Sequence, residues 1–464
     1  MLSHALTETR TMTALTDVLE TVTDRVTPTA DERERLASAV ADLTARAEAA
    51  IDERDVDADV LQVGSTARGT WLAGDRDIDL FVRFRPDLPR ADLERLGLEI
   101  GHAVLPEGHE EYAEHPYVKG VYDGFAVDLV PCYRVDSARK IRSAVDRTPF
   151  HTQYLDARLD EDHEADVRCF KQFCKAIGTY GSDLRTEGLS GYLTELLVLE
   201  YGGFEPLCRA AADWQPPVRL DPENHGERRF SDPLTVVDPT DPERNVAAVA
   251  SAENVARLQH FARDLLTEPR ESLFVSPTDI DADEHEIRRQ LNRRETTAIA
   301  LVFDTPEIVD DQLYPQLRKS RVGIENGLES NEFDVFRSAA FADDDRSVLL
   351  FELSVATQPA VERHEGPPVS VREHATGFVS AYADDDTVYG PFLDGGRYVV
   401  ERPREFTDAR EFVRSDRLFE VGLGKRVAAA LEDDYRVLVD DGIAELAERF
   451  GRELAAYFTP DLRG

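Results

Sequence analysis

Hydrophobic positions change period several times along the chain, and each change marks a predicted element. From Asp31 to Glu53, Leu36, Val40, Leu43 and Ala47 recur at helical spacing, which predicts an amphipathic helix. Val60 to Val63 is an apolar run ended by Gly64-Ser65, and the residues beyond it read as the start of a short helix. Ile78, Leu80 and Val82 then alternate with Asp77, Asp79 and Phe81, a strand whose period of two puts both aspartates on one face. Arg90 to Val104 predicts a helix with Leu93, Leu96 and Ile100 as its buried stripe. Strands follow near Glu110 to Tyr112, Tyr117 to Tyr122 and Phe125 to Val130.

Past Asp136 the pattern shifts from strands to long helices. Thr148-Pro149 predicts a helix start with Thr148 as N-cap, and Asp162 to Ile177 carries Val167, Phe170, Cys174 and Ile177 on one stripe. Ser190-Gly191 opens the next helix. From Leu234 to Val246, two Asp-Pro turns are predicted to present Arg244 and Asn245 at a helix start. After Ser276 the reading is coarser: strands at Thr296 to Phe303 and Ser347 to Val355, helices at Thr407 to Asp416 and Leu423 to Tyr435. The fold class is α+β and multidomain. Its expected domains are residues 1–150, a mixed sheet with helices, 151–275, helical, and 276–464, a C-terminal body and tail.

Composition changes this picture in one respect. The 464 residues include 92 acidic and 54 basic ones, a net charge of −38 that ordinarily speaks against a nucleic-acid partner. With 42% hydrophobic residues and clear periodicity, disorder does not account for the charge. Lysine occurs only at Lys119, Lys140, Lys171, Lys175, Lys319 and Lys425, so nearly all positive charge is arginine. An acidic, lysine-poor surface is the halophilic pattern of a salt-rich cytoplasm, where a Debye length of roughly 3 Å leaves RNA free to approach. Cys132, Cys169, Cys174 and Cys208 lack paired ligand spacing and read as reduced thiols. No export signal and no membrane-length apolar run is apparent, so a cytoplasmic location and no membrane partner are expected.

The chemistry concentrates between Val60 and Phe84. Free backbone N–H groups beside Ser65, with Arg68 one turn on, make an anion site. Asp77 and Asp79 on one strand face repel each other and favour a cation of oxygen preference, Mg²⁺ above all. Asp128, the one charge in Phe125 to Val130, is the candidate third carboxylate. Taken singly, the Gly-Ser is a capped turn and the Asp-x-Asp a solvated strand edge; in this order they point to phosphoryl transfer. Lys171 and Lys175, four apart in a chain nearly without lysine, suggest a compact charge for a triphosphate, against the alternative of an ordinary exposed pair.

Gly64-Ser65, Arg68-Gly69-Thr70, Asp77-x-Asp79 and the distal strand aspartate resemble the nucleotidyltransferase superfamily that includes polymerase beta. GSTARGTWLAGDRDIDLF is similar to the signature of the archaeal, class I CCA-adding enzymes, the tRNA nucleotidyltransferases. That resemblance implies a template-independent enzyme adding C, C and A from CTP and ATP to the 3′ end of tRNA. It implies Mg²⁺ held by Asp77, Asp79 and Asp128, and Ser65, Arg68, Lys171 and Tyr180 on the phosphates. His115, Thr148 and His151 would line the nucleotide pocket, Arg244 would face the base, and the C-terminal part would hold the tRNA acceptor end. Asp77 stands where many relatives have Glu, one methylene shorter. Arg321, Arg337, Lys425 and Arg426 are candidates for RNA backbone contact, against an acid-paired surface role. The rival readings are a poly(A)- or oligoadenylate-type polymerase and a noncatalytic RNA-binding relative, and the sequence leaves oligomeric state open, a homodimer included.

Overall fold

The computed structural model describes residues 2–112, 114–276 and 281–462. They fall into two compact units, one of the described residues up to 276 and one from 281 onward. The first begins with two helices, α1 (Leu2–Val26) and α2 (Ala30–Asp52). The sequence pattern revealed only the second; α2 starts in a capping box between Thr29 and Glu32.

A mixed sheet follows: β1 (Ala58–Val63), the four-residue helix α3 (Gly64–Ala67), β2 (Asp77–Phe84), α4 (Arg90–Val104), β3 (His109–Tyr112), β4 (Pro116–Tyr122) and β5 (Phe125–Tyr133). The strand order is β1-β2-β5-β4-β3, with β2 and β5 parallel and the other pairs antiparallel. Ile78, Leu80, Val82 and Phe84 pack with Leu43 of α2 and Leu93, Leu96 and Ile100 of α4. Phe81 points the other way, into a small cluster with Val63 and Cys132. Period two therefore sends Asp77 and Asp79 to the face opposite α2 and α4.

The helical part contains α5 (Thr148–Asp156), α6 (Glu161–Ala176), α7 (Gly191–Tyr201), α8 (Phe204–Ala212), the short strand β6 (Val218–Leu220), the hairpin β7 (Leu234–Asp238) and β8 (Asp241–Asn245), and α9 (Ala252–Thr267). Phe170, Phe173, Leu193, Leu197 and Leu258 are among its core residues. Two expectations are corrected here. Thr148 is not the N-cap: a 3-10 turn over Ala144–Arg147, started by a capping box between Ser143 and Asp146, runs straight into α5, so Arg147 holds the cap position and Thr148 is already helical. Arg244 and Asn245 lie on a strand, not at a helix start. Asn245 accepts from the Val236 and Ala247 N–H groups and donates to the Leu234 carbonyl, stitching β8 into a hairpin, and the helix begins only at Ala252.

The second unit comprises α10 (Glu284–Arg294), β9 (Thr297–Asp304), α11 (Asp310–Ser330), β10 (Asp334–Ala342), β11 (Arg346–Val355), β12 (Val361–Pro368), α12 (Arg372–Tyr382), β13 (Tyr389–Asp394), β14 (Arg397–Pro403), α13 (Ala409–Phe412), α14 (Lys425–Asp433), β15 (Arg436–Val439) and α15 (Ala447–Phe458). Its sheets run β10-β11-β9-β15 and β12-β14-β13. The helix expected over 407–416 is the single turn α13, because Ser415 caps a separate 3-10 turn beginning at Asp416. Arg321 pairs with Glu325 at 3.3 Å, and Arg337 lies over the Tyr457 ring at 4.0 Å, so both side chains are engaged within this unit. All four cysteines are free and buried. Among the described residues no helix is long and apolar enough to cross a membrane.

Candidate active site

Strand register assembles the acids. Antiparallel pairing sets Val63 opposite Asp79, so the turn leaving β1 lies against that aspartate. Gly64, at φ +80, makes the approach feasible: a Cβ there would stand 2.1 Å from Asp79 Oδ2. Parallel pairing of β2 with β5 aligns Asp79 directly with Asp128, and Asp77 precedes Asp79 by one strand period. Burial, then the charges of Asp128 and Asp77, pushes the Asp79 carboxyl up to about 6, with Arg68 and Lys119 opposing. Asp128 is also raised by burial, against the pull of Lys119, its cross-strand partner on β4, whose Nζ is 3.3 Å from Oδ1.

Hard oxygen donors whose mutual repulsion a cation would relieve fit a divalent metal in donor type and charge. Register brings them together without closing a cage. Among the described residues, no group of three or more His, Cys, Asp or Glu side chains is placed to hold a metal ion. Asp128 is engaged sideways by Lys119, and Asp79 faces the Gly64 backbone.

Next to the acids lies a buried cation cluster. Arg68 spans Glu195 with Nη2 at 2.8 Å from Oε2 and Nε at 3.3 Å from Oε1, while Nη1 donates to Thr152 Oγ1 at 3.1 Å. Lys171 Nζ is 3.5 Å from Glu195 Oε1 and donates to the Thr70 carbonyl and hydroxyl at 3.1 and 3.2 Å. The Thr70 hydroxyl in turn donates to Glu195. Burial lowers Lys171, with Glu195 pulling the other way; burial would raise Glu195, but Lys171 and Arg68 hold it below its ordinary value. The exposed-pair alternative for the lysines fails here, because Lys171 is only 2% exposed. Lys175 pairs with Asp75 at 3.1 Å and lies 5.4 Å from the Tyr180 ring centroid. Burial, then the Glu195 and Asp75 charges, raises the Tyr180 hydroxyl.

A third group forms where α5 and α7 meet the hairpin. Asp238, fully buried, accepts from His151 Nε2 and Arg244 Nη1, both at 2.8 Å on Oδ2, and from the Thr240 N–H and hydroxyl on Oδ1. Burial alone would raise this carboxyl; those donors hold it well below the usual carboxylate range. The His151 ring stacks on Tyr192 at 3.9 Å and is lowered by burial. One turn of α7 thus links the clusters, Tyr192 facing His151 and Glu195 facing the cations, and on α5 His151 is followed by Thr152, the partner of Arg68.

His115 is not brought to the acids. It precedes β4, where Lys119 and not Pro116 faces Asp128, and its buried ring sits edge-on to Tyr133 with Nδ1 3.3 Å from Glu94. Nε2 is buried without a hydrogen-bond partner. Sequence reasoning missed Glu195, Asp238, Tyr192 and Lys119. The first carried the signal that exposed Asp128, a lone charge in an apolar run, here Leu193 to Val198.

A Gly-Ser turn thus lies against acids on neighbouring strands, and this region carries a nucleotidyltransferase domain: the family model of that description matches residues 45–151. Two further models match, the tRNA nucleotidyltransferase second domain over residues 165–275 and the CCA-adding enzyme C-terminal domain over 294–440. The chain is 57% identical to the CCA-adding enzyme of Haloarcula marismortui, covering 96% of this chain and 98% of that one. It is 58% identical to that of Halobacterium salinarum over 97% of this chain and 100% of the relative, and 39% identical to that of Methanosarcina barkeri over 92% and 94%. The chain belongs to the family of CCA-adding enzymes. Nucleotidyltransferases of this kind use divalent metals.

Proposed function

We propose that this enzyme adds C, C and A from CTP and ATP to the 3′ end of tRNA in the cytoplasm, with Mg²⁺ as its metal and no nucleic-acid template. The observation that carries the chemistry is the register pairing of Asp79 with Asp128 beside the Gly64 turn. Asp77, Asp79 and Asp128 would hold Mg²⁺, which when bound makes the primer 3′-hydroxyl more acidic and offsets charge on the triphosphate. Ser65, Arg68, Lys171 and Tyr180 bind the triphosphate. Thr148, His151 and Arg244 form the nucleotide pocket, with His115 at its margin. Residues 1–150, 151–275 and 276–464 divide the work into catalysis, nucleotide binding and grip on the tRNA acceptor end.

Asp238 fixes the Arg244 guanidinium. Cytosine and adenine present acceptor nitrogens on their pairing edges, where uracil and guanine carry N–H groups that would face its donors. A mismatched donor pair leaves buried groups unpaired at roughly 1 to 3 kcal/mol each. The direct test is incubation with tRNA lacking its last three nucleotides, labelled CTP and ATP, and Mg²⁺ in concentrated KCl. Two C followed by one A is the expected product. Runs of A on any RNA end would point to a poly(A)-type enzyme instead.

A further inference from the structure

Glu195 is the strongest unassigned feature of the molecule. Its carboxylate is fully buried in α7, where Leu193, Leu196 and Leu197 show that the surroundings accept apolar side chains. A buried ion pair is weak support for stability, since well-packed apolar residues serve as well or better. Yet this carboxylate meets four donor groups: two nitrogens of Arg68, the Thr70 hydroxyl and the Lys171 ammonium. Arg68 comes from the turn after α3 and Lys171 from α6, so one anion fixes cations from two distant parts of the chain. Among the described residues Glu195 is the one carboxylate within ion-pair distance of either. One positive charge is left in surplus. Gly191 at the start of α7 lies close against the cluster: a Cβ there would be 3.2 Å from the Tyr180 hydroxyl, a tight contact, and 3.8 Å from Lys171 Nζ.

We propose that Glu195 is a positioning residue for triphosphate recognition, holding Arg68 and Lys171 at a fixed separation with one net positive charge for the ligand; this rests on the reading of those two cations as phosphate contacts. Its effect on CTP and ATP must then be equal, because the triphosphate is common to both. Base choice and the order of addition do not depend on it. An interaction of this kind acts on ground state and transition state alike, so it shows in KM and hardly in kcat.

The experiment measures equilibrium binding of CTP and of ATP to the full chain in molar KCl, with steady-state KM, kcat and melting temperature alongside. Glu195→Gln keeps the size and removes the charge; binding of both nucleotides should weaken about tenfold, with kcat within about twofold of wild type. Glu195→Asp keeps the charge, shortens the reach and serves if the amide variant fails to fold; it should lose affinity less, equally for both nucleotides. Adding Glu195→Gln to the Arg68→Ala/Lys171→Ala pair should cost little more, since the residues it acts through are already gone. Wild-type affinity in both Glu195 variants, an effect on one nucleotide only, or a full further loss in the triple variant would overturn the inference. Wild-type triphosphate binding in Arg68→Ala/Lys171→Ala would instead overturn the phosphate reading, and the positioning role with it.

Discussion

Asp79 and Asp238 are the same side chain in opposite electrostatic settings. Asp79 sits buried among acids: burial first, then its register neighbour Asp128 and its strand neighbour Asp77, pushes the carboxyl up to about 6. Asp238 sits among donors, with His151, Arg244 and Thr240 all directed at it, and is held well below the ordinary range. A frustrated carboxylate stores an attraction for an incoming cation. A satisfied one has no capacity left for a ligand and instead orders the groups around it. The first suits catalysis, the second the shaping of a pocket.

Removing each acid should therefore have different consequences. Asp79→Asn or Asp128→Asn should lower nucleotide addition by about a thousandfold or more while leaving the melting temperature unchanged or higher, because each relieves repulsion. Near-normal addition by either variant would sink the assignment of these acids to catalysis. Asp238→Ala should instead cost about 2 to 3 kcal/mol of stability by stranding His151 and Arg244, read as a shift in denaturant midpoint. If that variant were as stable as wild type, the contrast between the two aspartates would collapse.

Acidity gives a smaller effect of opposite sign at the two sites. Asp79 ionises at 3.8 when unperturbed and at about 6 in the fold, so the folded state takes up its proton first and stability from this group falls as pH rises between those values. The advantage of Asp79→Asn over wild type should accordingly be absent near pH 4 and grow to on the order of 2 kcal/mol above pH 6. Asp238, held low, contributes stability above its ordinary value of 3.8 that is lost as pH falls below it. Melting curves of wild type and both variants across this range give the two signs directly. The smallest change is expected from Arg244→Ala, about tenfold in discrimination of CTP and ATP against UTP and GTP, with triphosphate affinity nearly kept. Unchanged discrimination would move base selection to other groups of the pocket.

The acidic half of this comparison was legible in the sequence and the satisfied half was not. Alternation of Ile78, Leu80 and Val82 with Asp77, Asp79 and Phe81 fixes which face the acids take, and a lone charge in Phe125 to Val130 marks Asp128, since both follow from local period and from the cost of burying charge. Helix α4 spans Arg90–Val104 as its uninterrupted stripe predicts, for the same reason. Where non-local pairing competed, local reading failed: Asp-Pro turns before Arg244 suggested a helix start, but Asn245 closes a hairpin with residues nine to eleven positions earlier.

What the sequence determined by itself is the donor set: which residues are acids on one strand face, which turn can lie against them, and where the few lysines stand. Tertiary structure alone decided the partners. Arg68 meets Glu195 across 127 residues of chain and His151 meets Asp238 across 87, contacts that no period records because only tertiary packing, α7 against α5 and α6 among it, brings them within hydrogen-bonding distance. A side chain's type is written locally, whereas its ionisation and orientation depend on whatever the fold sets beside it, and here that difference separates an acid raised by burial and neighbouring acids from one held low by the donors around it.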